Sequence, residues 1–128
     1  MAEFTCSCCG YLVFDEPPGS YDICAICGWE DDLSQLRFPR MGGANKVSLI
    51  EGQRNHARDG ASDPGHPPLG RLPAPSDMRD RDWRPIDEAR DDIEQPVPGF
   101  EYGSTYPDDR TELYYWRPSY WRAALREP

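Results

Sequence analysis

Two cysteine knuckles constrain this chain more than anything else in it. Cys6-x2-Cys9 and Cys24-x2-Cys27 each run into a glycine (Gly10, Gly28) and then an aromatic residue (Tyr11, Trp29), with fourteen residues between the pairs. In a CxxC turn both sulfurs lie on one side of a tight loop, and the glycine lets backbone N–H groups turn toward them without a Cβ clash. Two such turns brought together close a tetrahedron around one ion. A single CxxC would equally describe a redox dithiol, whereas a second copy at zinc-ribbon spacing with the same ending points to a four-thiolate site. Cys6, Cys9, Cys24 and Cys27 are the expected ligands, zinc the expected ion and iron the alternative.

The composition makes such a site a structural need. At 128 residues, with 38% hydrophobic residues and a mean hydropathy of −0.81, the chain has little from which to build an apolar core. Zinc on four thiolates contributes about 10–16 kcal/mol of apparent binding free energy, comparable to the whole stability of a domain this size. No apolar run reaches membrane-spanning length, and the first residues have neither the basic nor the apolar region of a signal peptide. A cytosolic protein is therefore expected, in which thiolates persist as ligands; five cysteines suit a metal site plus one spare thiol better than a disulfide framework. The net charge is −9 and Lys46 is the only lysine, which argues against direct nucleic-acid binding. Arginines scattered among carboxylates, as in Arg79-Asp80-Arg81-Asp82 and Arg90-Asp91-Asp92, read as self-pairing on a solvated surface.

Along the chain, Tyr11-Leu-Val-Phe14 is a β-prone run, residues 15–20 carry turn chemistry, and Tyr21-Asp-Ile23 returns to the second knuckle, which predicts a hairpin that brings the cysteine pairs together. A loop then runs past Phe38-Pro39 to Gly42-Gly43. Ser48-x-x-Glu51 is a capping box, predicting a helix over Leu49–Asp59 ended by Gly60. Residues 63–75 hold five prolines and two glycines and read as an extended arm. Pro85, with Ile86, Ala89 and Ile93 on one face, predicts a short helix over residues 85–94. Eight aromatics gather in residues 100–121. The expected architecture is small α+β: a zinc-ribbon or rubredoxin-like knuckle hairpin with a short helix over residues 1–62, a Pro-rich arm over 63–82, and an acidic, aromatic segment over 83–128 that packs on the ribbon.

The ordered elements Cys6-Ser-Cys-Cys-Gly-Tyr11, Tyr21-Asp-Ile-Cys-Ala-Ile-Cys-Gly-Trp-Glu-Asp-Asp32 and Gly42-Gly-Ala-Asn-Lys-Val-Ser-Leu49 closely resemble the small bacterial cysteine-rich CPCC family over roughly half the chain. Ser7 stands where that family's name-giving proline sits, and Gly28 where an aromatic or apolar residue is common; neither change removes a ligand. The resemblance implies a zinc-binding fold and brings no activity with it.

Cys8 fits neither knuckle, because one residue is too few between it and Cys6 and a bond to Cys9 would be a strained vicinal bridge. It reads as a small side chain packed beside the site, or as a redox thiol next to the metal. His56 and His66 read as surface residues. Glu30-Asp31-Asp32 are consecutive acids that point in different directions, which suits capping and hydrogen bonds to the loop over residues 42–45 better than a magnesium site. No catalytic constellation can be assembled from spacing, so no enzyme is expected. Tyr115, Trp116, Tyr120 and Trp121 are candidate contacts for a protein partner, since Tyr, Trp and Arg carry most interface energy. The leading expectation is a zinc-stabilised, non-catalytic interaction module; the alternatives are a rubredoxin-like electron carrier or thiol redox sensor, and an acidic neutraliser of a basic toxin.

Overall fold

A computed structural model describes residues 3–65, 70–100, 102 and 105–122. Strands β1 (Phe4–Thr5) and β2 (Leu12–Phe14) pair antiparallel with Phe4 opposite Phe14, and a bulge follows. These strands flank the first knuckle. Ile23 and Glu30 form the equivalent bridge across the second. Each knuckle thus sits at the tip of its own short hairpin, and the expected pairing of residues 11–14 with 21–23 does not form. The physical reason is loop closure: the knuckle turn already holds its two flanks together, a shorter closure than the one through residues 15–20. The N–H of Tyr21 goes instead to the carbonyl of Asp31.

Helix α1 (Leu33–Arg37) occupies part of the stretch expected to be a loop. Its start is local chemistry: the Asp32 carboxylate accepts the N–H groups of Ser34 and Gln35 as an N-cap. The other oxygen of Asp32 accepts the N–H of Ala44, while Asn45 exchanges two hydrogen bonds with the backbone of Glu30. The consecutive acids and the loop over residues 42–45 are therefore tied to each other, as capping groups and backbone clamps. Gln35, fully buried beneath that loop, donates to the carbonyls of Met41 and Val47 and accepts from Asn45.

Helix α2 (Leu49–Asp59) has both hydrogen bonds of the Ser48/Glu51 capping box and ends at Gly60 in the left-handed conformation. Leu49, Ile50, Gly52 and Gln53 form its buried face. Gly52 is needed there because a Cβ would lie 3.0 Å from the Trp29 ring and 3.2 Å from Cys8 Sγ. No described helix is long and apolar enough to cross a membrane.

Residues 85–94 make one turn and no helix. Asp87 accepts the N–H of Ala89 with its own side chain, the Asp91 carboxylate is taken by Arg84, and the N–H of Ile86 goes to Gln53 of α2. Side-chain acceptors on both sides outcompete the next helical bond. The aromatic segment turns inward. Leu113, Tyr114, Tyr115, Trp116 and Tyr120 join the five cysteines, Phe14, Ile26, Trp29, Leu36 and Leu49 in one buried cluster. A 3-10 turn at Arg110–Leu113, capped by Asp109, delivers them.

Candidate metal centre

The four sulfurs of Cys6, Cys9, Cys24 and Cys27 all lie within 4.8 Å of one another and are buried. The Cys6–Cys27 and Cys9–Cys24 sulfur separations are 3.6 and 3.8 Å. A tetrahedron with metal–sulfur bonds of about 2.3 Å has edges of about 3.8 Å, so the four sulfurs fit an ion held by four thiolates. Both of these pairs join one knuckle to the other. Closing the site therefore crosslinks β1 and β2 to the second hairpin.

The two knuckles are built alike. In each, the glycine N–H bonds the carbonyl of the first cysteine (Gly10 to Cys6, 2.8 Å; Gly28 to Cys24, 2.9 Å), and the first cysteine's N–H bonds the aromatic residue's carbonyl (Cys6 to Tyr11, 2.9 Å; Cys24 to Trp29, 2.8 Å). Gly10 and Gly28 have φ of 84° and 82°, the left-handed region that glycine enters without Cβ strain. At Gly10 the Trp83 ring also presses within 2.5 Å of where a Cβ would stand. The N–H groups of Ile26 and Cys27 both point at Cys24 Sγ at 3.4 Å.

Thiol chemistry in the cluster is uneven. Hydrogen bonding from Cys27, then from Cys6 and Cys9, lowers the Cys24 pKa strongly and makes it the favoured thiolate. Burial raises Cys6, and the interaction with Cys24 raises Cys27. A divalent cation would replace those protons, which is why ions bind such clusters with proton release.

The knuckle carbonyls are capped by later parts of the chain. Arg79 donates to Cys9 O from Nε and Nη2 at 3.2 and 2.8 Å, its guanidinium lying over the Tyr11 and Trp83 rings. Trp83 Nε1 and Gln53 Nε2 both donate to Ser7 O. The N–H groups of Asp80, Arg71 and Ser62 close on the carbonyls of Gly10, Ile26 and Cys27. Gly70 passes so near that a Cβ there would collide with the Ile26 carbonyl. These caps satisfy buried acceptors that a turn cannot satisfy itself. Sequence reasoning missed them: Arg79 and Asp80 were expected to pair with neighbouring charges on a solvated surface. Asp80 instead accepts from Thr5 Oγ1 (2.7 Å) and Trp116 Nε1 (3.1 Å), with Arg117 at 3.7 Å. The available signal was Trp83, an aromatic residue beside an arginine at the end of the Pro-rich arm.

Cys8 is fully buried but lies outside the four-sulfur group, against Gly52 of α2. His56 sits half-buried on α2, its pKa lowered by burial and then by Arg79; His66 lies outside the described residues. Of the four aromatics offered as a partner surface, Tyr115, Trp116 and Tyr120 are instead buried in the chain's own core. Tyr115 OH donates to Arg84 O and accepts from Gln53, and Tyr114 OH reaches Thr5 O. Only Trp121 is partly open, and its ring lies against Arg37. That arginine is itself 5% exposed: it makes a two-pronged ion pair with Glu94 and is surrounded by Phe38, Tyr102, Tyr106 and Trp121 at 4.6–4.9 Å.

Among curated proteins, no sequence matches this chain. Residues 4–77, from β1 through both knuckles and α2 into the Pro-rich arm, match the family described as cysteine-rich CPCC. That match spans more than half of the 128 residues and contains all four clustered sulfurs, so the chain belongs to the cysteine-rich CPCC family.

Proposed function

We propose that this protein is a non-catalytic interaction module whose N-terminal half is organised by a structural zinc ion on Cys6, Cys9, Cys24 and Cys27. The observation that carries the reading is the closed four-sulfur cluster, all within 4.8 Å of one another and buried, with two separations of 3.6 and 3.8 Å close to a tetrahedral edge. Four protein ligands leave no position for a substrate or an activated water, which is the pattern of structural rather than catalytic sites. The ion would supply cohesion: it would join two hairpins whose strands do not pair with one another, in a chain with a small apolar core. With Tyr114, Tyr115, Trp116 and Tyr120 turned inward, a cytosolic partner would meet a mainly carboxylate-rich exterior. Neither nucleic acid nor membrane suits that charge.

An iron site with electron transfer is the second reading, favoured by the paired N–H···S contacts at Cys24, since hydrogen bonds to sulfur are a lever on iron–sulfur potentials. Metal analysis of protein produced without added metal separates the two. One equivalent of zinc in a colourless protein is expected; a red protein with iron would overturn the zinc assignment. Cys24→Ser should release the ion and melt the N-terminal half. Retention of one tightly held equivalent with unchanged melting would show that the ligand set is wrong.

A further inference from the structure

We propose that the hollow between residues 16–21 and 106–110 is a docking groove for an extended, arginine- or lysine-bearing segment of another protein, an inference that rests on the interaction-module reading. Two adjoining hollows of about 500 and 410 Å³ share Asp108 and Arg110. Glu16 and Pro17 line one of them, Tyr21 and the half-buried Tyr106 the other. Tyr21 is 55% exposed although it is a large aromatic residue. Its placement is imposed: φ is 61°, and the turn is held by Tyr21 N–H on Asp31 O and by Ser20 on the Asp31 carboxylate.

The distribution of charge says what would lie there. The chain carries 23 carboxylate side chains against 14 basic ones, and that excess is not spread evenly. Every ion pair among the described residues takes its carboxylate from between Asp59 and Glu94, where arginines from α1, α2, the arm and the tail converge. Glu16 and Asp108 have no ion pair or side-chain hydrogen bond among the described residues. The Asp109 carboxylate accepts only from Thr111 beside it. The cation that lines both hollows with them is Arg110, whose guanidinium is turned to the Pro18 carbonyl over Gly19, while the charge of Arg117 acts on Asp109, which leaves Glu16 and Asp108 as the unpaired carboxylates.

The unpaired Glu16 and Asp108 carboxylates beside the exposed Tyr21 ring match a cationic side chain, which gains from both the charge and the ring. Two neighbouring hollows accept alternate side chains of an extended strand, which project from one face about 7 Å apart. A polyanion would be repelled, so the occupant is a polypeptide and not nucleic acid.

The test uses the intact metal-loaded chain and a fluorescein-labelled twelve-residue peptide alternating arginine with serine, read by fluorescence anisotropy at low and at physiological salt. Binding should be lost about tenfold in Glu16→Gln/Asp108→Asn and reduced in Tyr21→Ala. A control with the same charge removed elsewhere, Asp82→Asn/Glu88→Gln, should bind within about twofold of the parent. The Glu16 and Asp108 carboxylates have no partner among the described residues, so unchanged thermal melts are expected and are checked for each variant. Equal loss in both double variants would mean that bulk charge alone attracts the peptide; it would overturn the groove and leave the module reading standing. No binding by the parent at low salt, with zinc bound and the fold intact, would overturn the groove and count against an interaction role, while the structural-metal assignment would keep its own test in metal content.

Discussion

Cys8 and Asp80 show how differently a buried thiol and a partly buried carboxylate near one site can matter. Cys8 lies outside the four-sulfur group and fills space between the first knuckle, Gly52 and Trp29. Cys8→Ala should leave metal content at one equivalent per chain while costing about 1–2 kcal/mol for the cavity it leaves. Loss of the full equivalent, measured by metal analysis, would show that the cysteines are paired incorrectly. Asp80 ties β1 to the tail. Burial alone would raise its pKa, but hydrogen bonds from Thr5, the Asp82 N–H and Trp116, with the charge of Arg117, outweigh that and hold it below the ordinary range. A carboxyl depressed in the folded state contributes stability above its unfolded pKa of about 3.9, and the contribution is lost as pH falls through the folded value. Between about pH 5 and pH 2 the melting temperature of Asp80→Asn should therefore fall less than that of the parent. Parallel declines would mean that the carboxylate contributes nothing.

At the scale of elements, legibility followed locality. The knuckles and α2 were readable because every determinant lies within a few residues: cysteine, glycine and aromatic in one turn, or Ser48, Glu51 and Gly60 at the two ends of one helix. Ser48→Ala should remove one of the reciprocal capping bonds and cost about 1 kcal/mol, checked by chemical denaturation. A cost near zero would mean that packing of Leu49 and Ile50 alone holds the helix start. Helix α1 was missed although its signal was local too: the acids at 30–32 read as capping groups, but the stretch after Asp32 read as loop, so the five-residue helix that Asp32 caps was not assigned. The expected helix at residues 85–94 fails for the opposite reason. Its apolar spacing is genuine, but Gln53, from thirty-three residues earlier, takes the Ile86 N–H, and Asp87 and Asp91 offer competing acceptors. Periodicity does not register such competition. The hairpin pairing went astray because strand propensity does not say which neighbour a strand will choose.

Across the whole molecule, the cysteine cluster and the aromatic tail form one core, and this was the least legible part of the sequence. Composition suggested that the tail would pack on the ribbon, but not that Trp116 would reach Asp80, that Tyr114 would reach Thr5, or that Arg37 would be enclosed by four rings. Most of these contacts join residues tens of positions apart. Their burial has a titration signature. Desolvation pushes Tyr120 up to about 12 and raises Tyr114 and Tyr115 further. A phenol whose folded pKa lies above its unfolded value of about 10 contributes stability that is complete below that value and lost as pH rises through the folded one. Alkaline absorbance titration of the seven tyrosines should therefore show a late class. Tyr114, Tyr115 and Tyr120 should ionise only together with loss of near-ultraviolet circular dichroism, because the core must open to let water reach them. If the tail instead hangs free of the knuckles, all seven will titrate in one transition with no change in the dichroism. Removing the ion with a chelator before the titration sharpens the test. Because the sulfurs and the tyrosines share one core, the buried class should then ionise at lower pH, and an unchanged curve would separate the metal site from the tail.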